Sequence, residues 1–242
     1  MSDSESIVEV KNLTKSFGKK RVLDNISFNV YYNEILLIVG FSGTGKSTLL
    51  KLICGLEEPD SGEVVLKTSH LGMVFQGSAL FDSMTVFDNV AFPLINDQRR
   101  ISPDVIKEKV LEKLRLVGLS GIEQLRPDEL SGGMKKRVSF ARAIINDPKI
   151  ILYGEPTSGL DPVVSTVIED YILKLQHELN TSSILVTHQL NTIKRIPSRV
   201  LFLYDSEIVW EGSSADLLSS SNPYAKQFRE GSIEGPMIAI KK

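Results

Sequence analysis

The chain has 242 residues, of which 42% are hydrophobic and 24% are charged, and its formal net charge is −2. These values are typical of a globular chain long enough to bury a sizeable core, and the near-zero charge gives no electrostatic reason to expect a nucleic-acid partner. One cysteine excludes an internal disulfide; with three histidines it indicates no zinc site and favours a reducing, cytosolic compartment.

The first residues, Met1–Ser6, are polar and acidic, unlike a secretory signal. The segment after them has the alternation of a half-buried β-strand, with Ile26, Phe28 and Val30 separated by polar residues. Ile35–Val39 is apolar on both faces, as in a central parallel strand covered by helices. This longest clean apolar run is far shorter than the ~18 residues of a membrane helix, so we expect a chain that does not span a membrane.

Strands and helices then alternate. A glycine-rich turn at Gly40–Gly45 leads into a helix from Lys46 to about Cys54, and we expect Cys54 to lie in the core. Three short apolar runs are predicted strands: Leu71–Phe75, Ile150–Tyr153 and Ile184–Thr187. Asp161-Pro162 is a helix start signal, followed by apolar residues at helical spacing. This order predicts an α/β fold with a mostly parallel sheet.

Residues 77–148 have helical periodicity and no core-strand pattern, so we interpret them as a helical subdomain inserted into the α/β core. Near the end of the chain, Arg199–Leu203 and Glu207–Trp210 flank a turn and predict a hairpin. The tail from about Ser219 is expected to be extended.

The turn after Ile35–Val39 fits the G-x-x-x-x-G-K-S pattern of a phosphate-binding P-loop, in the strand–turn–helix context that this pattern requires. Backbone N–H groups, a helix N-terminus and the Lys46 charge together attract phosphate, and the glycines let the backbone curl around it. Lys46 would reach the β- and γ-phosphates, and the Ser47 hydroxyl would ligate Mg²⁺. The sequence therefore predicts nucleotide binding.

A second glycine pair precedes a basic and then apolar helix that runs from Lys135 to Ile145. The motif consists of Leu130, Ser131, Gly132, Gly133 and Met134. A polar cap followed by glycines is an anion site at a helix start, although Ser-Gly-Gly also caps many helices that bind nothing. The cations of this helix are expected to form a solvated face: Lys135, Lys136, Arg137 and Arg142.

Further along, I-I-L-Y-G-E-P-T-S-G-L-D spans Ile150–Asp161, and Val186-Thr187-His188 follows. In this order the motifs resemble those of the ATPase subunit of ABC transporters, over nearly the whole chain. The resemblance implies a P-loop NTPase of ABC type: a mostly parallel central sheet, an N-terminal antiparallel β subdomain and an inserted helical subdomain. It also implies a single ABC ATPase domain over 1–242, divided into the parts 1–76 with 149–218 (RecA-like and β core), 77–148 (helical subdomain) and 219–242 (tail).

The resemblance implies ATP and Mg²⁺ as ligands. The residues that it assigns to ATP are Phe17, which would stack on adenine, and Gly40, Phe41, Ser42, Gly43, Thr44, Gly45, Lys46, Ser47 and Thr48. It assigns Mg²⁺ to Ser47 and Gln76. Taken alone, Phe17 would be a packing residue and Gln76 a solvated loop residue.

The same resemblance makes Glu155 the general base beside the attacking water, Gln76 a contact of that water, and His188 a switch histidine near the γ-phosphate. Leu130–Met134 would be the signature that caps the ATP bound to the other subunit. The D-loop across the dimer would be Ser158, Gly159, Leu160 and Asp161. A head-to-tail homodimer is therefore implied; His188 alone would be a structural histidine.

One position departs from the family pattern. ABC ATPases normally end the strand Ile150–Tyr153 with an aspartate, which holds Mg²⁺ through a bound water, and this chain has Gly154 there. Losing such an outer partner typically costs ~10–100-fold in metal affinity or activity. Either hydrolysis survives weakly on Ser47, Gln76 and Glu155, or the chain binds ATP and scarcely turns over.

Within the family, the segment after Gln76, Met134 in the signature and the tail around Tyr224 and Phe228 resemble the ATPase of MCE-associated lipid transporters. Those are the Mla system of Gram-negative bacteria and its cyanobacterial and plastid relatives. The resemblance implies an ATP hydrolase at the cytoplasmic face of the inner or envelope membrane. Its partners would be an integral membrane permease, an MCE-domain lipid-binding protein and a small cytoplasmic regulator.

Other interpretations stay open at this point. Amino-acid importers and lipoprotein exporters share part of the segment after Gln76, and Gly154 leaves open an ATP-binding copy with impaired hydrolysis. An ABC protein that acts on nucleic acid or ribosomes is the rival from another class. Such proteins usually carry two ATPase halves or basic, zinc or coiled-coil insertions, and none of these is evident in this near-neutral sequence.

Overall fold

The computed structural model describes residues 5–96 and 101–238. Parts of three sequence predictions lie outside the described residues: residues 1–4 of the polar start, residues 97–100 of the helical subdomain and residues 239–242 of the tail. The strands are β1 (Ser6–Phe17), β2 (Lys20–Tyr31), β3 (Ile35–Val39), β4 (Ser61–Leu66), β5 (Leu71–Val74), β6 (Ile150–Gly154), β7 (Ser182–Thr187), β8 (Arg199–Tyr204) and β9 (Glu207–Ser213). The helices are α1 (Lys46–Ile53), α2 (Val86–Ile95), α3 (Pro103–Leu116), α4 (Gly132–Ile144), α5 (Pro162–Leu179), α6 (Leu190–Arg195), α7 (Ser214–Ser219) and α8 (Pro223–Glu230). The described residues fall into two compact units, one within 1–69 and 182–242 and the other within 70–181.

The first unit begins with an antiparallel sheet in the order β2-β1-β4. On β2, Ile26, Phe28 and Val30 are buried and the residues between them are exposed, as their alternation predicts. The predicted N-terminal antiparallel subdomain is therefore confirmed.

A second sheet in the same unit has β3 between β7 and β8, all parallel, with β9 antiparallel at the edge. Every residue of β3 is buried, which explains its unbroken apolar sequence. Val39 pairs with Thr187 across β3 and β7. Gly40 and His188 therefore leave neighbouring strands at the same, carboxyl edge, where ligand sites of parallel sheets lie.

The end of the chain contains a confirmed prediction and a correction. The hairpin of β8 and β9 turns at Asp205 and Ser206, which both have positive φ, 46° and 72°, as a tight hairpin turn requires. The expectation of an extended tail is wrong for α8, which Asn222 caps by accepting hydrogen bonds from two backbone N–H groups. The buried side-chain amide of Gln227, within α8, accepts a hydrogen bond from the Met237 N–H and donates one to the Met237 carbonyl, which holds the tail against the helix.

Cys54 also departs from expectation. Helix α1 ends at Ile53, and Cys54 is only half-buried, with its thiol 3.4 Å from the Lys51 carbonyl oxygen. The apolar side of the helix is completed by Leu49, Leu50, Leu52 and Ile53 instead.

The second unit pairs β5 and β6 in parallel, with Val74 opposite Tyr153. The described residues between 77 and 148 contain helices and no strand, as their periodicity predicts. Thr85 and Asp88 form a capping box at the start of α2. The α/β class is confirmed, and in the described part of the chain no helix has the length and apolar character needed to cross a bilayer.

Helix α4 packs on both strands of this unit. A Cβ at Gly72 of β5 would lie 2.5 Å from the Ala143 carbonyl oxygen, so the absence of a side chain lets β5 approach α4. The rings of Phe140 and Tyr153 meet edge to face, with their centroids 5.4 Å apart. Helix α4 is therefore the common support of the two strands that lead to Gln76 and Glu155.

Candidate functional site

The P-loop of the first unit has the backbone that its glycines predict. Gly43 and Gly45 have φ of 80° and 100°, in the left-handed region that other residues rarely enter. Gly45 caps α1 with no side-chain hydrogen bond, and the first turn of α1 contains no acidic residue. The positive end of the helix dipole is therefore not neutralised by a side chain of its own first turn, which favours an anionic ligand.

Lys46 brings a positive charge into this loop. Its side chain is buried, at 3% relative exposure, and its ammonium donates to the carbonyl oxygens of Gly40 and Phe41 at 2.9 and 2.7 Å. A buried charge needs such oxygen partners. A cation inside a curled loop at a helix N-terminus fits the phosphates of a nucleotide.

The surroundings of the loop provide room for the rest of a nucleotide. Phe17, at the end of β1, is 49% exposed, so its ring is available for stacking on a base. A cavity of about 470 Å³ is lined by the loop residues 41–44 together with Lys20 and Arg21, and this volume is within the range of small-molecule sites. On the other side, the Phe228 ring of α8 supports Phe41, with 6.1 Å between centroids.

In the second unit, three of the predicted residues come together. The Gln76 amide nitrogen lies 3.4 Å from a Glu155 carboxylate oxygen and 3.3 Å from the Ser158 hydroxyl. Glu155 has a positive φ of 48°, immediately after Gly154 ends β6. A left-handed non-glycine residue is uncommon, and this conformation is compatible with the role predicted for Glu155.

The predicted signature also lies against the predicted D-loop. Ser131 caps α4 and accepts a hydrogen bond from the Met134 N–H at 3.3 Å. A Cβ at Gly132 would lie 3.3 Å from the Leu160 side chain, and one at Gly133 would lie 2.8 Å from Val164. The two glycines therefore allow close packing, while Ser131 and Gly132 stay exposed at the helix start.

His188 belongs to the first unit. It is exposed directly after β7, and the Thr187 hydroxyl beside it accepts a hydrogen bond from the Gln189 N–H at 3.0 Å. The pairing of β3 with β7 places it at the same strand edge as the start of the P-loop.

The cations of α4 are the residues that the sequence interpretation missed. Lys136 is buried, at 4% relative exposure, and donates to the Gln76 carbonyl oxygen. Arg142 donates to the carbonyl oxygens of Ser78 and Ala79, and Arg137 to that of Gly118. The predicted solvated face is therefore wrong for Lys136, Arg137 and Arg142, because these cations donate hydrogen bonds to loop carbonyls. The apolar residues between them in α4 were the signal that this side of the helix is partly covered.

Comparisons with known proteins agree with these motifs. The profile of the family described as ABC transporter matches residues 23–158. The chloroplastic protein TRIGALACTOSYLDIACYLGLYCEROL 3 of Arabidopsis thaliana is 41% identical over 266 residues, which cover 98% of this chain and 77% of that protein. MlaF of Haemophilus influenzae, an intermembrane phospholipid transport system ATP-binding protein, is 38% identical over 249 residues, with 97% and 94% covered.

A solved structure gives the same result. The dimeric, post-hydrolysis state of the ATP-binding cassette MJ0796 bound to ADP and Pi is 32% identical to this chain. The TM-score is 0.76, and the match covers 86% of this chain and 98% of the other.

Two glycines of the P-loop give a matched stability test. At Gly43 an added Cβ meets nothing within 4 Å, whereas at Gly45 it would lie 2.8 Å from the Val22 carbonyl oxygen. Gly43→Ala should cost only the left-handed strain, about 1–2 kcal/mol. Gly45→Ala adds a clash with backbone and should cost at least about 1 kcal/mol more. Urea unfolding of both variants measures the difference, and equal losses would contradict the packing described for Gly45.

Proposed function

The chain belongs to the ABC transporter family, and we propose that it is the ATP-binding subunit of a transporter that moves phospholipid or a related lipid through a membrane permease with an MCE-type partner. The observation that carries the ATP half of this proposal is the buried Lys46 ammonium inside the P-loop. The lipid half is supported by the named roles of MlaF and its likeness over 97% of this chain. An amino-acid or lipoprotein transporter is not favoured.

ATP would be held by the first unit. The P-loop residues and Thr48 would surround the phosphates, Lys46 would place its charge on them, and Phe17 would stack on adenine. Mg²⁺, with Ser47 and Gln76 as its predicted protein ligands, would neutralise phosphate charge when bound.

Hydrolysis would depend on three residues that the resemblance assigns to catalysis. Glu155 would accept the proton of the attacking water as general base, Gln76 would orient that water, and His188 would contact the γ-phosphate. Two chains would form each site, because the exposed signature at Ser131 and Gly132 and the adjoining D-loop would act on the ATP of the partner. A homodimer agrees with the dimeric cassette that this chain resembles.

The second unit also offers a surface for the permease. An apolar groove of about 380 Å³ follows the predicted glutamine loop and is lined by Phe75, Phe81, Phe92 and Pro93, among others. A short amphipathic helix of a permease would fit such a groove. We infer a peripheral location at the cytoplasmic face of the inner or an envelope membrane, with the MCE-domain protein and a small regulator as further partners.

The proposed cargo is tested with the chain assembled with its permease in liposomes. Fluorescent phospholipid should move in an ATP-dependent manner and should raise the ATPase rate, whereas methionine and a lipopeptide should not. A Glu155→Gln complex is the matched control, since it should assemble and bind ATP without transport. Stimulation by methionine or the lipopeptide, with no response to phospholipid, would contradict the lipid assignment.

The glycine that replaces the usual aspartate is tested separately. We propose that Gly154 slows hydrolysis, so Gly154→Asp should raise kcat by ~10–100-fold by restoring an outer anchor for the metal. ATP binding, titrated in parallel with Mg²⁺ present, shows whether affinity changes as well. If the chain with Gly154 hydrolyses ATP as fast as the variant, another group anchors the metal and this part of the proposal is wrong.

A further inference from the structure

The loop that follows β5 is held in an unusual backbone conformation. Ser78 and Ala79 are consecutive non-glycine residues with positive φ, 62° and 48°. Such residues are uncommon, and this pair does not lie in a hairpin turn such as the one that explains the positive φ of Asp205 and Ser206.

Two cations of α4 hold this loop by its carbonyl groups. Lys136 donates to the Gln76 carbonyl, and Arg142 donates to those of Ser78 and Ala79 at 2.8 and 2.7 Å. The two cations are six residues apart, which is ~9 Å along the helix. Lys136 therefore binds the first residue of the loop, and Arg142 binds its last two residues. The Arg142 guanidinium also lies over the Phe81 ring, 5.8 Å from its centroid.

The position of Lys136 is energetically demanding. Burial lowers the pKa of its ammonium, and the Glu155 carboxylate opposes that shift through space. A buried ammonium is costly unless oxygens surround it. Lys136 therefore donates to the backbone of Gln76 and is attracted by the carboxylate of Glu155. These two partners also contact each other, through the Gln76 side chain.

We propose that Lys136 and Arg142 are positioning residues, which clamp the loop of residues 76–79 to α4 and thereby hold the Gln76 amide against Glu155 and Ser158. This rests on the proposed ATPase function for its effect on hydrolysis. Because the signature precedes and begins α4, the clamp links the glutamine loop to the helix that carries the signature.

Amide hydrogen exchange tests the clamp without any need for ATP. Lys136→Met and Arg142→Met should raise the exchange rate of residues 76–81 by about tenfold or more. Arg137→Met is the matched control on the same helix, because Arg137 holds the Gly118 carbonyl and packs on Tyr171. It should raise exchange near residue 118 and leave residues 76–81 unchanged.

Steady-state kinetics test the effect on positioning, in the native chain and in the Gly154→Asp background. Both Met variants should lower kcat by ~10–100-fold with little change in ATP affinity, because a displacement of the Gln76 amide by about 1 Å is enough for a loss of this size. Lys136→Arg should restore most of the rate. If Lys136→Met does not fold, Arg142→Met against Arg142→Lys gives the same comparison.

The outcomes separate the two proposals. Unchanged exchange of residues 76–81 in the Met variants would overturn the clamp, and faster exchange with an unchanged kcat would overturn its positioning role. If neither the native chain nor the Gly154→Asp variant hydrolyses ATP, the proposed ATPase function fails. The exchange experiment still decides in that case whether the clamp exists.

Discussion

The buried ammonium of Lys46 imposes the constraint on which the rest of the site depends. A charge at 3% exposure must be surrounded by oxygens, and here the loop carbonyls of Gly40 and Phe41 supply them. To bring those carbonyls inward, the loop must curl, and the left-handed glycines at 43 and 45 allow the curl. The same curl turns backbone N–H groups and the start of α1 toward an anion. Sequence, backbone and electrostatics therefore all favour an anionic ligand at this loop, as the ABC transporter family leads one to expect.

A second set of buried cations organises the other unit. Lys136 and Arg142 use their charges on backbone carbonyls of the loop after β5, and α4 packs through Phe140 on Tyr153 of β6. One helix thus supports the strands that end near Gln76 and Glu155 and carries the signature at its own start.

Local patterns predicted most of the fold, and long-range contacts account for the error on the cations of α4. The alternation in β2, the apolar run of β3 and the turn at Asp205 and Ser206 each depend on neighbours in sequence, so their prediction was confirmed. The P-loop backbone follows from its glycines. The roles of Lys136 and Arg142 were missed because their carbonyl partners lie 60 to 64 residues away in the sequence, and no spacing rule reveals such partners. The helix α8 has a local start signal in Asn222-Pro223, of the same kind as Asp161-Pro162, and the sequence interpretation did not use it. Only the contacts that hold the tail afterwards, such as that of Phe228 with Phe202, depend on the folded chain.

ATP binding by the purified chain tests the central claim most directly. Isothermal titration with Mg²⁺-ATP should give saturable binding, and Lys46→Ala should weaken it by ~10–100-fold, the loss expected for charged hydrogen bonds to phosphate. Lys51→Ala is the control, because Lys51 is an exposed lysine in the last turn of the same helix, and its affinity should stay within about twofold of the parent. Equal affinity of the parent and Lys46→Ala, or no binding by the parent, would contradict the account.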